Sequence, residues 1–98
     1  MGEIAVTNTS DYTRALAGDG FSAYLYPNPA FSFVNVEVKG SKGPYNIMVT
    51  NLQGAVLWKA EGLTDRQVKI PLSNLAQGVY MVMVTDKVHT GTLKLVKQ

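Results

Sequence analysis

Cysteine is absent from all 98 positions, which excludes disulfides, thiolate metal ligands and thiol nucleophiles and leaves packing alone to hold a core together. Histidine occurs once, as His89. A metal centre or catalytic base needs partners at motif spacing, and His89 has none, so it is expected in a solvated turn. Charged residues are 16% of the chain, nine basic against seven acidic, too few and too scattered to track phosphates, which argues against nucleic acid. No run of about 18 apolar residues exists, so no membrane-spanning helix is expected, and the basic-then-apolar layout of a secretory signal is missing from the start. Glu37, Glu61, Asp65 and Asp86 show neither a calcium-loop spacing nor a pairing suited to acid and base work. Nucleophile elbows, phosphate-cradling glycine loops and nucleotide fingerprints are lacking too. The chain is therefore expected to be no enzyme and to carry no cofactor.

What is present is short alternation broken by turns. Ninety-eight residues suit one small domain that buries roughly 65% of the surface its unfolded chain exposes. Residues 1–20 are expected to be a linker or flexible arm, because Ala15, Leu16, Ala17, Gly18, Asp19 and Gly20 are small and glycine-rich. Within that arm Ile4 and Val6 suit at most one short edge strand, and Asn8-Thr9-Ser10 matches the glycosylation acceptor pattern, which three residues often do by chance. The domain proper is expected over 21–98.

From Phe21 the pattern predicts seven strands, at 21–26, 33–39, 45–50, 55–60, 67–70, 79–84 and 92–96. Val34, Val36 and Val38 fall on one face against Asn35, Glu37 and Lys39 on the other, and Tyr45, Ile47 and Val49 alternate in the same way with Asn46, Met48 and Thr50. Asn51-Leu52-Gln53-Gly54 reads as a hairpin turn with Gly54 at a positive φ, and Gly78 also reads as a position of backbone geometry. Residues 55–60 have two registers, one burying Val56 and Trp58 and the other Leu57. Leu72 and Leu75 are expected to plug one end of the core. Strands at spacings of about ten residues with no helix-length pattern predict an all-β, seven-stranded antiparallel immunoglobulin-like β-sandwich.

Two features go beyond packing. Pro27 and Pro29 flank Asn28, a rigid strand terminator. Met81 and Met83 alternate with Tyr80, Val82 and Val84, so they fall on the outer face, beside Trp58 in the second register, as a candidate docking surface with possible self-association. The alternative is a strand covered on both sides.

Taken in order, Tyr26-Pro27-Asn28-Pro29-Ala30, Val34-x-Val36, Val49-x-Asn51-x-x-Gly54, Ile70-x-Leu72-x-x-Leu75, Gly78-Val79-Tyr80-x-Val82-x-Val84 and Lys94-Leu95-Val96-Lys97 resemble the C-terminal sorting domain of the type IX (Por) secretion system of the Bacteroidetes. The resemblance covers residues 25–98. It implies a signal at the end of an exported cargo protein, a seven-stranded sandwich recognised by the outer-membrane translocon, passing through the periplasm to the cell surface or medium. A sortase-like peptidase then commonly removes it, with the cargo joined to anionic lipopolysaccharide. Carried onto this chain, the recognition residues are Lys94, Leu95, Val96, Lys97 and Gln98. Pro27, Asn28, Pro29, Gly54, Gly78 and Tyr80 are framework, and the cut falls between Ala15 and Phe21.

Two other readings compete. One is an adhesive or carbohydrate-binding sandwich with Tyr24, Tyr26 and Trp58 as stacking residues. The other is an accessory domain packed on a catalytic neighbour.

Overall fold

In the computed structural model, which describes residues 13–16 and 20–98, the alternating stretches extend as predicted. Val34, Val36 and Val38 are buried, as are Tyr45, Ile47 and Val49, while their neighbours along the chain keep contact with solvent. Among the described residues there are eight strands: β1 (Thr13–Leu16), β2 (Ser22–Tyr26), β3 (Phe33–Lys39), β4 (Tyr45–Thr50), β5 (Val56–Leu63), β6 (Gln67–Pro71), β7 (Gly78–Thr85) and β8 (Thr90–Lys97). They form two four-stranded antiparallel sheets in the orders β1-β2-β3-β6 and β5-β4-β7-β8. The inward faces interdigitate as in other sandwiches, and Leu25, Val36, Ile47, Val49, Ile70, Val82 and Leu95 are almost wholly removed from water. Leu72 is fully buried in the core, and Leu75, partly buried, packs against that core.

The linker expectation changes at one point. Ala15 and Leu16 belong to β1, paired with Ala23 and Ser22 of β2. Strand preference depends more on an available neighbour than on residue type, and β2 offers its outer edge. Gly20 is an exposed turn residue with φ 79°. Ala17, Gly18 and Asp19, together with Ile4, Val6 and Asn8, lie outside the described residues.

The register of 55–60 follows neither simple alternative. Thr50 pairs with Val56 but Val49 pairs with Trp58, so Leu57 is an extra residue in a β-bulge. Trp58 turns inward against the core, while Val56 and Leu57 are 51% and 42% exposed. A second irregularity lies opposite Asn46, where the Gly62 amide donates to Asn46 Oδ1 at 2.9 Å and Gly62 has φ 67°.

At the pole farthest from the chain end, the turn between β7 and β8 corrects the reading of His89. His89 is 5% exposed, and its ring stacks on Phe21 with centroids 4.8 Å apart and planes 10° from parallel. Its Nδ1 lies 3.0 Å from Asp86 Oδ2. Asp86 also accepts from the amides of Val88 (2.9 Å), His89 (2.7 Å) and, across the pole, Lys42 (2.6 Å). Four-residue turn composition does not reveal an aromatic neighbour 68 positions upstream; the fold supplies it.

Burial pushes the Asp86 carboxyl pKa up, but the Lys42 amide, the His89 ring and the Val88 and His89 amides together outweigh it and hold the pKa below the usual carboxylate range. In the unfolded chain this group protonates near a pKa of about 3.9, before the folded one does. Its stabilisation is therefore complete above about pH 4 and is lost as pH falls through the depressed folded value. The gap in urea midpoint between the parent domain and Asp86→Asn is expected to narrow as pH is lowered from about 5 to about 2. A gap that stays constant over that range would contradict this account of Asp86.

Candidate functional site

The last strand is a sheet edge, and an edge strand presents a row of backbone groups open to pairing with another chain. In β8 the terminal half of that row is closed by the 27–30 loop. Proline carries no backbone N–H, so Pro27 and Pro29 offer no amide donors, but the Asn28 side chain bears a donor and an acceptor on one planar group, as a peptide does. Asn28 is 8% exposed. Its Nδ2 donates to the Lys94 carbonyl at 2.8 Å, and its Oδ1 accepts from the Val96 amide at 2.9 Å. The side chain thus pairs with β8 as a neighbouring strand would. Beyond it, the Ala30 amide donates to the Val96 carbonyl (2.8 Å) and the Gln98 amide donates to the Ala30 carbonyl (2.7 Å), a one-residue parallel bridge. The Tyr26–Pro27 and Asn28–Pro29 bonds are both cis.

This loop also reaches β1. Asn28 Nδ2 lies 2.7 Å from Thr13 Oγ1, so one amide joins the first described strand to the last. β1 and β2 both approach β8 along this side of the sandwich. Tyr80, opposite Leu95, donates its hydroxyl proton to the Ala76 carbonyl and so fastens the turn leading into β7.

The five recognition candidates are continuous in sequence but divided in space. Lys94 is exposed and pairs with Met81 on the outer face, and Val96, half-buried, pairs with Val79. Leu95 points the other way and is completely buried, so its side chain supports the core and is out of reach of a receptor. Lys97, half-buried, follows Leu95 in the alternation, and its Nζ donates to the Gln98 carbonyl at 3.2 Å. Gln98 is exposed.

Among the framework candidates, Gly54 has φ 91° in the 51–54 turn, where Asn51 Oδ1 accepts from the amides of Gln53 and Ala55. Gly78 differs from expectation: it has no positive φ, and a Cβ there would meet nothing within 4 Å. Its local geometry does not demand glycine. Trp58 leaves the candidate docking face, because the bulge at Leu57 sends it to the inner side. Met81 and Met83 remain on the outer side and are joined by Met48, the partner of Met83. Tyr24 and Tyr26 lie on the outer side of the other sheet, where the Tyr26 hydroxyl donates to Glu37 Oε1 at 3.2 Å, so the three proposed sugar-stacking residues do not meet.

Sequence reasoning missed the bonding role of Asn28. The available signal was an Asn between two residues that cannot donate, a position where a side-chain amide replaces the missing backbone donors.

The two-sheet antiparallel architecture is that of an immunoglobulin-like sandwich. It is similar to a solved structure of a DUF3244-family protein with an immunoglobulin-like β-sandwich fold from Bacteroides vulgatus, with a TM-score of 0.68 at 11% identity over 91% of this chain and 98% of that one. A comparison with curated proteins finds no match. A family model described as "Secretion system C-terminal sorting domain" matches residues 24–98. The chain belongs to this family, the C-terminal sorting domains of type IX secretion, and as such marks a secreted or outer-membrane surface protein for that machinery.

Proposed function

We propose that the domain is a non-catalytic address label whose last strand is read by the translocon as a folded shape instead of a loose peptide. The observation that carries this reading is the closure of residues 94–98 by Asn28 and Ala30, since chain ends fray unless tied down. Lys94, Val96 and Gln98 offer the accessible contacts, with Leu95 and Tyr80 holding them in place. The cargo passes through the periplasm, and a sortase-like peptidase cuts between Ala15 and Phe21 and joins the cargo to anionic lipopolysaccharide.

A reporter carrying this domain at its C-terminus, expressed in a cell with type IX secretion, tests the reading. Removing residues 94–98 is expected to leave the reporter in the periplasm, measured by fractionation, and undiminished surface display or release would refute the proposal. Mass spectrometry of the exported reporter tests the cut separately: a new C-terminus within residues 15–20 is expected.

A further inference from the structure

The loop that shuts the terminal half of the β8 edge also restricts how a receptor can approach that half. Strand addition needs free N–H and C=O groups, and those of Val96, with the Lys94 carbonyl and the Gln98 amide, are already engaged by Asn28 and Ala30. The inner side is core. At that half of the strand, what remains is the outer face of the β5-β4-β7-β8 sheet. Met48, Met81 and Met83 stand together at its centre, Met83 opposite Met48 and Met81 opposite Lys94. Val79 extends the apolar surface toward the chain end, 37% exposed. Beside Met48 stands Lys59, and a shallow hollow lies between Met48, Met83, Lys59 and Glu61.

The charge on this face has one sign at the chain-end side. β4, β7 and β8 contain no acidic residue, and the one carboxylate of β5, Glu61, lies 3.9 Å from Lys59. Lys94 is exposed beside the methionines, and among the described residues no carboxylate forms an ion pair with it. An anionic membrane calls for a cluster of four or more basic residues, and two lysines do not supply it. Methionine, unbranched and polarizable, conforms to an apolar protein surface.

We propose that the outer face formed by Met48, Met81, Met83 and Val79, with Lys94 and Lys59 at its margins, docks onto a protein surface that is apolar at its centre and edged with carboxylates. This rests on the address-label reading and names the surface through which the label is read.

Two variants of the full 98-residue domain, fused to the reporter, probe the two halves of the claim. Lys59→Glu with Lys94→Glu reverses the charge, and Met81→Thr with Met83→Thr removes the apolar centre while keeping residues suited to strands. Each is expected to reduce export by about tenfold or more, since like charges and lost apolar contact both disfavour a complementary interface, with thermal melting still cooperative. Lys69→Glu, on the other sheet, is the control and is expected to export normally. If removal of residues 94–98 blocks export but both face variants export as well as the parent, the docking face is wrong and the address-label reading stands; if that removal has no effect, the reading itself fails. Binding of the parent, but of neither variant, to vesicles of phosphatidylcholine with about 30% anionic lipid would reassign the face to a membrane, and loss of a dimer in sedimentation on either change would reassign it to a second copy. Both outcomes overturn the proposal.

Discussion

Replacing Asn28 by alanine is expected to lower the unfolding free energy by about 2 kcal/mol, because it leaves the Lys94 carbonyl and the Val96 amide without their partner in a part-buried place, and each unmet group costs about 1–3 kcal/mol when fully buried. Both currently bond to the one side chain. Urea titration measures the loss directly, and a shift under about 0.5 kcal/mol, the range of ordinary surface substitutions, would show that the contacts are dispensable. Asn28→Asp separates bonding from size. A carboxylate accepts from the Val96 amide but faces the Lys94 carbonyl with a second acceptor, so at neutral pH this change is expected to be at least as damaging as alanine. Lowering the pH restores an O–H donor, so part of the deficit of Asn28→Asp against the parent is expected to be recovered below about pH 4. Freeing the edge also invites pairing between copies, and the alanine variant is expected to show concentration-dependent association in gel filtration.

Gly40→Ala is the second large effect. Gly40 has φ 75°, and a Cβ built there would lie 2.2 Å from the Gly20 carbonyl oxygen and 3.1 Å from Phe21 Cα. The contact is with backbone, and that backbone cannot retreat easily: Phe21 is 1% exposed and stacked on His89. A left-handed conformation costs an L-residue about 1–2 kcal/mol, and crowding in a packed region adds about 1–3 kcal/mol. The sum is expected to reach about 3 kcal/mol or more. Gly43→Ala is the matched comparison, with φ 90° but nothing within 4 Å of the added carbon, and is expected to cost only the conformational part, about 1–2 kcal/mol. Equal urea midpoints for the two variants would show that the approach of Gly20 to Gly40 carries no energy.

Strands with one wet face were legible because their side-chain period is two: Val34, Val36, Val38 and Tyr45, Ile47, Val49 occupy the predicted faces. The packing of Leu72 and Leu75 on the core was legible as well, since an apolar pair just after the strand-ending Pro71 gains by leaving water. Trp58 was not, because one inserted residue in a bulge reverses which side follows. β1 escaped notice since Thr13–Leu16 has no pattern of its own and gains its shape from β2. Leu95 was read as a contact residue because the family resemblance carried over the whole Lys94-Leu95-Val96-Lys97 motif, yet strand geometry puts adjacent residues on opposite sides, and the structure buries it. His89 and Asn28 were underestimated for a common reason: each is defined by a partner more than 60 positions away in sequence.

The pairing of β1 with β2 bears on what a cut between Leu16 and Gly20 would accomplish. Thr13 to Leu16 would stay zipped to Ser22 to Leu25, with the Thr13 hydroxyl still held by Asn28. Severing the chain and parting the fragments would then be separate events, with the cargo still tethered by a four-residue ladder until that ladder peels.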